Sequence, residues 1–284
     1  MEEAVEGYTH QLPLGEAVRP HIRYMSTDGS NRSVKSMYCI RCRMHASLCL
    51  CADMQPIKTR TQVAVIMHAT EQRRTSNTGY LATLMLPNSV LRIHGERGRM
   101  LDVHDWFEPT HRAFVLFPDA HARVLDPQLA EEDDRPIRLI VPDGTWRQAR
   151  RMVRRIAGLA KVPRVTLPEG LVSRYRLRKR QSTGGMCTFE AISEALCLLE
   201  GAHLHAPLGH VLSRFVERLL WHRGLLPAEK VTGGISESAF QLRSDISRGI
   251  PAESFSPVRK GPRPKPRPLG DRPEHPRNLT IKLK

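Results

Sequence analysis

The sequence predicts an α/β fold, a Rossmann-like, mostly parallel sheet with helices on both faces. Three observations lead there. Short apolar runs recur along the chain, segments of helical spacing separate them, and the run at 137–141 breaks at its end directly into a helix-like segment beginning at Trp146. An alternation of this kind joins parallel strands through crossover helices, which cover both faces of the sheet.

Residues 1–36 mix charges, Pro and Gly without periodicity, and an irregular lead-in is expected there. Residues 37–60 carry four cysteines. The run 63–67 reads as a buried strand ending at His68 and Glu71. Residues 78–86 have helical spacing that stops at Pro87. Further strands are expected at 90–93, 113–117, 137–141 and 164–167, with Pro118-Asp119-Ala120 closing the run at 113–117. Helices are expected at about 146–157, 188–200 and 208–223. These elements make one domain over 61–228. A flexible, basic, Pro-rich tail is expected over 229–284, because from Phe255 onward there are nine Lys or Arg, two acids and seven prolines, too polar a mixture to pack.

A chain of 284 residues, 40% of them hydrophobic, can bury one substantial core or two smaller ones. No run of about 18 apolar residues occurs, and Met1-Glu2-Glu3-Ala4-Val5 lacks the basic start and apolar stretch of a secretory signal. A soluble, cytoplasmic protein with no membrane partner is expected. The formal charge of +15 gives the surface a positive field that favours polyanions through counterion release, so RNA, DNA or ribosomes are the natural partners. Without the tail the chain keeps about +8, so the folded part is basic too.

Cys39-x2-Cys42-x6-Cys49-x-Cys51 places four of six cysteines within thirteen residues, which argues against a disulfide framework in a chain with no secretion signal. Zinc takes four thiolates in a tetrahedron, and these four would fill it and leave no open position, so an N-terminal four-cysteine zinc knuckle of structural type is expected. Free thiols in a reducing compartment are the competing reading. Cys187 and Cys197 read as helix or core residues.

Asp143-Gly144-Thr145-Trp146 follows the strand expected at 137–141. One reading makes Asp143 or Thr145 a helix cap and Trp146 a core residue. The other places an acid, a hydroxyl and an aromatic beyond the carboxyl end of a strand, where open α/β sheets collect their ligands. No G-x-G-x-x-G and no G-x-x-x-x-G-K-[ST] is present, so a dinucleotide or triphosphate site of those kinds is not expected.

The neighbouring motifs add weight to the second reading. In chain order they are the cysteine cluster, His68-x2-Glu71, Asn77-Thr78-Gly79-Tyr80-Leu81-Ala82, Leu86-Pro87-Asn88-Ser89, the Asp143-x-Thr145-Trp146 motif, and Cys187-Thr188-Phe189-Glu190-Ala191. Together, over residues 37–225, they resemble the DTW-domain family, named for Asp-x-Thr-Trp. The resemblance implies a tRNA-uridine aminocarboxypropyltransferase that moves the 3-amino-3-carboxypropyl group of S-adenosylmethionine to N3 of a uridine and releases methylthioadenosine. It also implies a SPOUT-type sheet with a C-terminal knot, tRNA as partner and no DNA. A methyltransferase acting on RNA and a non-catalytic zinc-containing RNA-binding module are the rival readings, and the oligomeric state is left open.

Under that resemblance Asp143 accepts the uridine imide proton or orients the base. Thr145 hydrogen-bonds backbone or cofactor, and Trp146 packs under adenine or uracil, or else in the core. Pro118, Arg178, Gly185, Cys187 and Thr188 fall near the cofactor, with Arg178 suited to the methionine carboxylate. His68 and Glu71 lack a nearby third ligand and read as a hydrogen-bonded scaffold. Asn77 is a candidate helix cap.

Two basic stretches are candidates for RNA contact. Arg174, Arg176, Arg178, Lys179 and Arg180 surround one aromatic, Tyr175, as in a backbone cradle. On the helix from Trp146, Arg147, Arg150, Arg151, Arg154 and Arg155 lie broadly opposite Ala149, Met152, Val153 and Ile156, giving an amphipathic helix with a basic face. Arg147, Arg150 and Arg151 are the candidates nearest the Asp143 motif.

Overall fold

The structure, a computed structural model, describes residues 38–72, 74–177 and 185–241. The expected lead-in, most of the expected tail, and Arg178, Lys179 and Arg180 lie outside the described residues.

Six strands are present: β1 (Gln62–His68), β2 (Val90–His94), β3 (Arg112–Leu116), β4 (Arg123–Val124), β5 (Ile137–Asp143) and β6 (Arg164–Thr166). They form one all-parallel sheet in the order β2-β1-β5-β3-β6-β4. Five match the apolar runs to within a residue or two. The sixth, β4, is two exposed residues on an edge, too short to leave an apolar pattern. The helices are α1 (Thr78–Met85), α2 (Gln128–Glu131), α3 (Trp146–Arg155), α4 (Thr188–Glu200) and α5 (His205–His222). α5 begins before the expected 208 because Pro207 sits in its first turn, where the missing N–H has no intrahelical partner to lose.

Side chains alternate across a strand, so each strand feeds two cores. Val63, Val65, Leu139 and Val141 face one side, packed with Leu81 and Met85 of α1, Phe189 and Ile192 of α4, and Phe215 of α5. Ala64, Ile66 and Ile140 face the other, under Ala149, Met152 and Val153 of α3 and the buried Trp106. Helices therefore cover both faces. None of those described is long and apolar enough to cross a membrane. The path between β6 and α4, on which the implied knot depends, runs through 178–184, outside the described residues.

The cysteine segment shares the first core: Cys39, Cys42, Met44, Leu48 and Leu50 are buried within it. Arg218 of α5 donates to the Cys49 carbonyl at 2.5 Å, and Asp53 pairs with Arg214 at 2.7 Å and Arg218 at 3.3 Å. Residues 229–241, expected in the tail, are packed against the domain. Val231 and Ala239 are buried, Ser236 Oγ donates to the Ser47 carbonyl at 3.0 Å, and the Phe240 ring meets Trp221 edge-on. Apolar residues at 231, 235, 239 and 240 are enough to pack this stretch, and the proline-dense composition begins only beyond it.

Candidate active site

β1 and β5 end side by side, with Met67 opposite Asp143, so the loop after β5 emerges at the centre of the sheet's carboxyl edge. Asp143 is buried and both carboxylate oxygens accept hydrogen bonds, Oδ2 from Asn77 Nδ2 at 2.6 Å and Oδ1 from Thr188 Oγ1 at 2.5 Å. Asn77 also caps α1, its Oδ1 accepting from Tyr80 N at 2.7 Å. Two helix N-termini, those of α1 and α4, thus converge on one carboxylate, and their partial positive charge favours an anion.

Thr145 caps α3 in a reciprocal box with Gln148, whose Oε1 accepts from Thr145 N and Oγ1, both at 2.8 Å. Gln148 Nε2 reaches back to His68 Nδ1 at 3.1 Å and Thr70 Oγ1 at 3.0 Å. The loop is therefore fixed at Asp143 and at Thr145. His68 is scaffold, as expected, and burial together with neighbouring His94 holds its pKa below the ordinary value. Trp146 is not a core residue: it is 50% exposed and its ring meets Phe117 edge-on at 6.0 Å.

A second buried carboxylate ties the far wall. Cys187 caps α4 in a box with Glu190, which accepts from Cys187 N at 2.9 Å, Ser173 Oγ at 2.7 Å and Arg174 N at 2.5 Å. Tyr175, expected among the exposed basic residues, is buried and donates from its hydroxyl to the Ser76 carbonyl at 3.1 Å. It braces the wall. Burial and the Glu190 charge push the Cys187 thiol up to about 12, so it stays protonated near neutrality and is no nucleophile.

These walls enclose a cavity of about 710 Å³, in the range of small-molecule sites. Asp143, Thr145, Trp146, Pro118, Cys187 and Thr188 all line it. Gly185 is buried just before α4, and Arg178 lies outside the described residues. The sequence missed Arg74 and the stretch 166–171, which also line the cavity. The second follows a strand's carboxyl end, a position that marks it as a ligand wall. Glu71, paired with Arg74 at 3.1 Å, lines it too.

Of the RNA candidates, Arg147, Arg150 and Arg151 are exposed along α3, and Arg174 and Arg176 are exposed on either side of Tyr175. Lys179 and Arg180 are outside the described residues.

The four cysteine sulfurs lie within 4.8 Å of one another, with Cys39–Cys51 at 3.6 Å and Cys42–Cys49 at 3.7 Å. Tetrahedral zinc with bonds near 2.3 Å separates its sulfurs by about 3.8 Å. The donor set fits zinc and is too widely spaced for disulfides. Hydrogen bonds from Cys42, Cys49 and Cys51 hold the Cys39 thiol far below its ordinary pKa. Arg43, at φ +60°, ties the knuckle to α1 and the loop after β1: its guanidinium lies 3.4 Å from the Tyr80 ring centroid and donates to the Gln72 carbonyl.

Against known proteins, the family model described as DTW domain matches residues 36–220. Three relatives carry the name tRNA-uridine aminocarboxypropyltransferase 2. The protein from Macaca fascicularis is 26% identical over 168 residues, covering 57% of this chain and 56% of its own length. The protein from Drosophila melanogaster is 25% identical over 191 residues, covering 62% and 70%. The protein from Mus musculus matches at 26% over 168 residues, 57% and 56%. The aligned part is thus little more than half of the macaque and mouse proteins. No solved structure gives a significant match.

Proposed function

We propose, on the premise that this chain belongs to the DTW-domain family, that it is an aminocarboxypropyltransferase acting on N3 of a uridine in tRNA. The observation that carries the reading is the convergence of Asp143, Thr188 and Trp146 on one cavity at the carboxyl edge of the sheet. The relatives' shared name and the basic charge of the chain support it. S-adenosylmethionine bound there would supply the electrophilic carbon beside its sulfonium, leaving as methylthioadenosine.

The residues that would hold it are Pro118, Gly185, Cys187, Thr188 and, beyond the described residues, Arg178. Asp143 is anchored by donors on both oxygens, so it would hold the uracil edge toward the cavity and take up the N3 proton as the N3–carbon bond forms and the carbon–sulfur bond breaks. Trp146, half-exposed at the lip, gives the base an apolar face. The four-cysteine knuckle binds zinc as a structural element, since four thiolates leave no open position. The polar surface, the tRNA substrate and the reduced cysteines fit a cytoplasmic protein with no membrane or DNA partner.

The test is mass spectrometry of nucleosides from tRNA incubated with the protein and S-adenosylmethionine. A uridine heavier by the aminocarboxypropyl group, with methylthioadenosine released, is expected. A methylated base with S-adenosylhomocysteine would replace the reading with a methyltransferase, and tRNA binding with no modified nucleoside would replace it with a binding module.

A further inference from the structure

A second cavity, of about 380 Å³, shares Phe117 and Pro118 with the first. Arg150 and Arg154 of α3 and Arg164 of β6 line it, together with Asp119. Asp119 is the one carboxylate in this wall among the described residues, and it is already paired with Arg164 at 2.9 Å. Arg150 and Arg154 therefore face the space with no counter-charge in its wall. Nε of Arg164 is enclosed and has no acceptor among the described residues.

Three guanidiniums against one carboxylate leave the wall with a net charge of about +2, a repulsion that a bound anion relieves. Arg150 and Arg154 are four residues apart and so lie on one side of the helix, which is pinned by its buried residues Ala149, Met152 and Val153, the last of them also in the cavity wall. Their forks are thereby presented from a rigid element. Guanidinium matches phosphate oxygens in pairs, which ammonium does not.

We propose that this cavity seats a backbone phosphodiester of the RNA beside the uridine whose base enters the larger cavity, with Phe117 and Pro118 forming the partition between base and phosphate. The inference rests on the RNA-uridine reading above. It makes Arg150, Arg154 and Arg164 register-setting contacts, whereas the other arginines of α3 contribute general charge.

The test uses a tRNA pool carrying single neutral methylphosphonate linkages at random positions, selected by binding to the full chain. Wild-type protein should exclude molecules whose neutral linkage flanks one particular uridine. Arg150→Ala/Arg154→Ala, both exposed and so no threat to folding, should bind tRNA about ten-fold more weakly and accept the neutral linkage at that place. Arg147→Ala/Arg151→Ala, on the same helix but outside the cavity, should lower the salt dependence without changing which linkages are excluded. If both double variants exclude the same linkages as wild type, or if both lose the exclusion alike, the inference fails. Nucleoside mass spectrometry reads the parent function separately: exclusion at one place without product removes the transferase reading and keeps the phosphate site, and product without exclusion does the reverse.

Discussion

A β-carbon at position 79 would lie 2.7 Å from Cγ of Asp143, closer than side-chain atoms approach, so the first turn of α1 rests directly on the carboxylate. Glycine is required there by this contact alone. Gly79→Ala should displace either α1 or Asp143, with a stability cost of about 1–3 kcal/mol and loss of the aligned carboxylate. Thermal melting and transferase rate measure the two effects. A variant that melts and turns over like wild type would show that the contact is not maintained in solution.

The two donors on Asp143 give a second prediction. Thr188→Val keeps the shape of the side chain and removes the hydroxyl, taking away the donor to Oδ1 while the Asn77 hydrogen bond to Oδ2 stays. Turnover should drop by about 10–100-fold through misplacement of the carboxylate, with the fold retained. Asn77→Ala removes the other donor and the cap of α1 together, so it should also cost about 1–2 kcal/mol of stability. If Thr188→Val has the wild-type kcat, Asp143 does not depend on that hydrogen bond.

Much of this site is legible in the sequence and part of it is not, for reasons that lie in particular residues. β1, β3 and β5 can be read because a strand covered on both faces is mostly apolar, Arg138 being the exception inside β5, whereas the exposed pair Arg123-Val124 carries no such signal. The position of Asp143 follows from the strand before it. Its partners stand 66 residues earlier and 45 later, and pairings at that separation exist only once the sheet has formed. The burial of Tyr175 is hidden because the surrounding charge masks a plain alternation, exposed Arg174 and Arg176 against buried Tyr175 and Leu177, which is how an extended chain lies along a core. For Trp146 both readings stand open at the sequence level, and its half-exposed place depends on Phe117, an element away.

Zinc gives a third prediction. The sulfur spacing suits one tetrahedral ion, and the knuckle is part of the core that α4 and α5 share. Purified protein should contain one equivalent of zinc per chain by elemental analysis. Cys42→Ser should lose the metal and lower the melting temperature, because metal binding and folding of such a site are coupled. Through Arg43 on Tyr80, the same change should loosen the first turn of α1 and raise hydrogen exchange at Tyr80. Full retention of zinc in Cys42→Ser would rule out the four-cysteine site.

His68 gives a prediction in pH. Its Nδ1 accepts from Thr70 N at 3.2 Å and from Gln148 Nε2 at 3.1 Å, so it must be unprotonated in the fold, and burial with neighbouring His94 lowers its pKa below the ordinary 6.5. Above pH 6.5 folded and unfolded chains both carry the neutral ring, and the stabilisation is complete. As pH falls through 6.5 the unfolded chain takes up a proton that the folded chain refuses, and stability declines until the folded pKa is passed. Once His68 is protonated in the fold, Nδ1 carries a hydrogen that opposes the Thr70 N–H and Gln148 Nε2 donors and turns to Thr70 Oγ1, which weakens the tie to Gln148 and with it the Thr145 cap of the loop after β5. His68→Asn keeps an acceptor near the Nδ1 position and cannot titrate, so its melting temperature should fall less than that of wild type between pH 7 and pH 5. His45 and His111, also held low by burial, will keep some acid sensitivity in both proteins, so the difference between the two curves is the quantity to measure. Parallel curves would mean that His68 does not govern the loop.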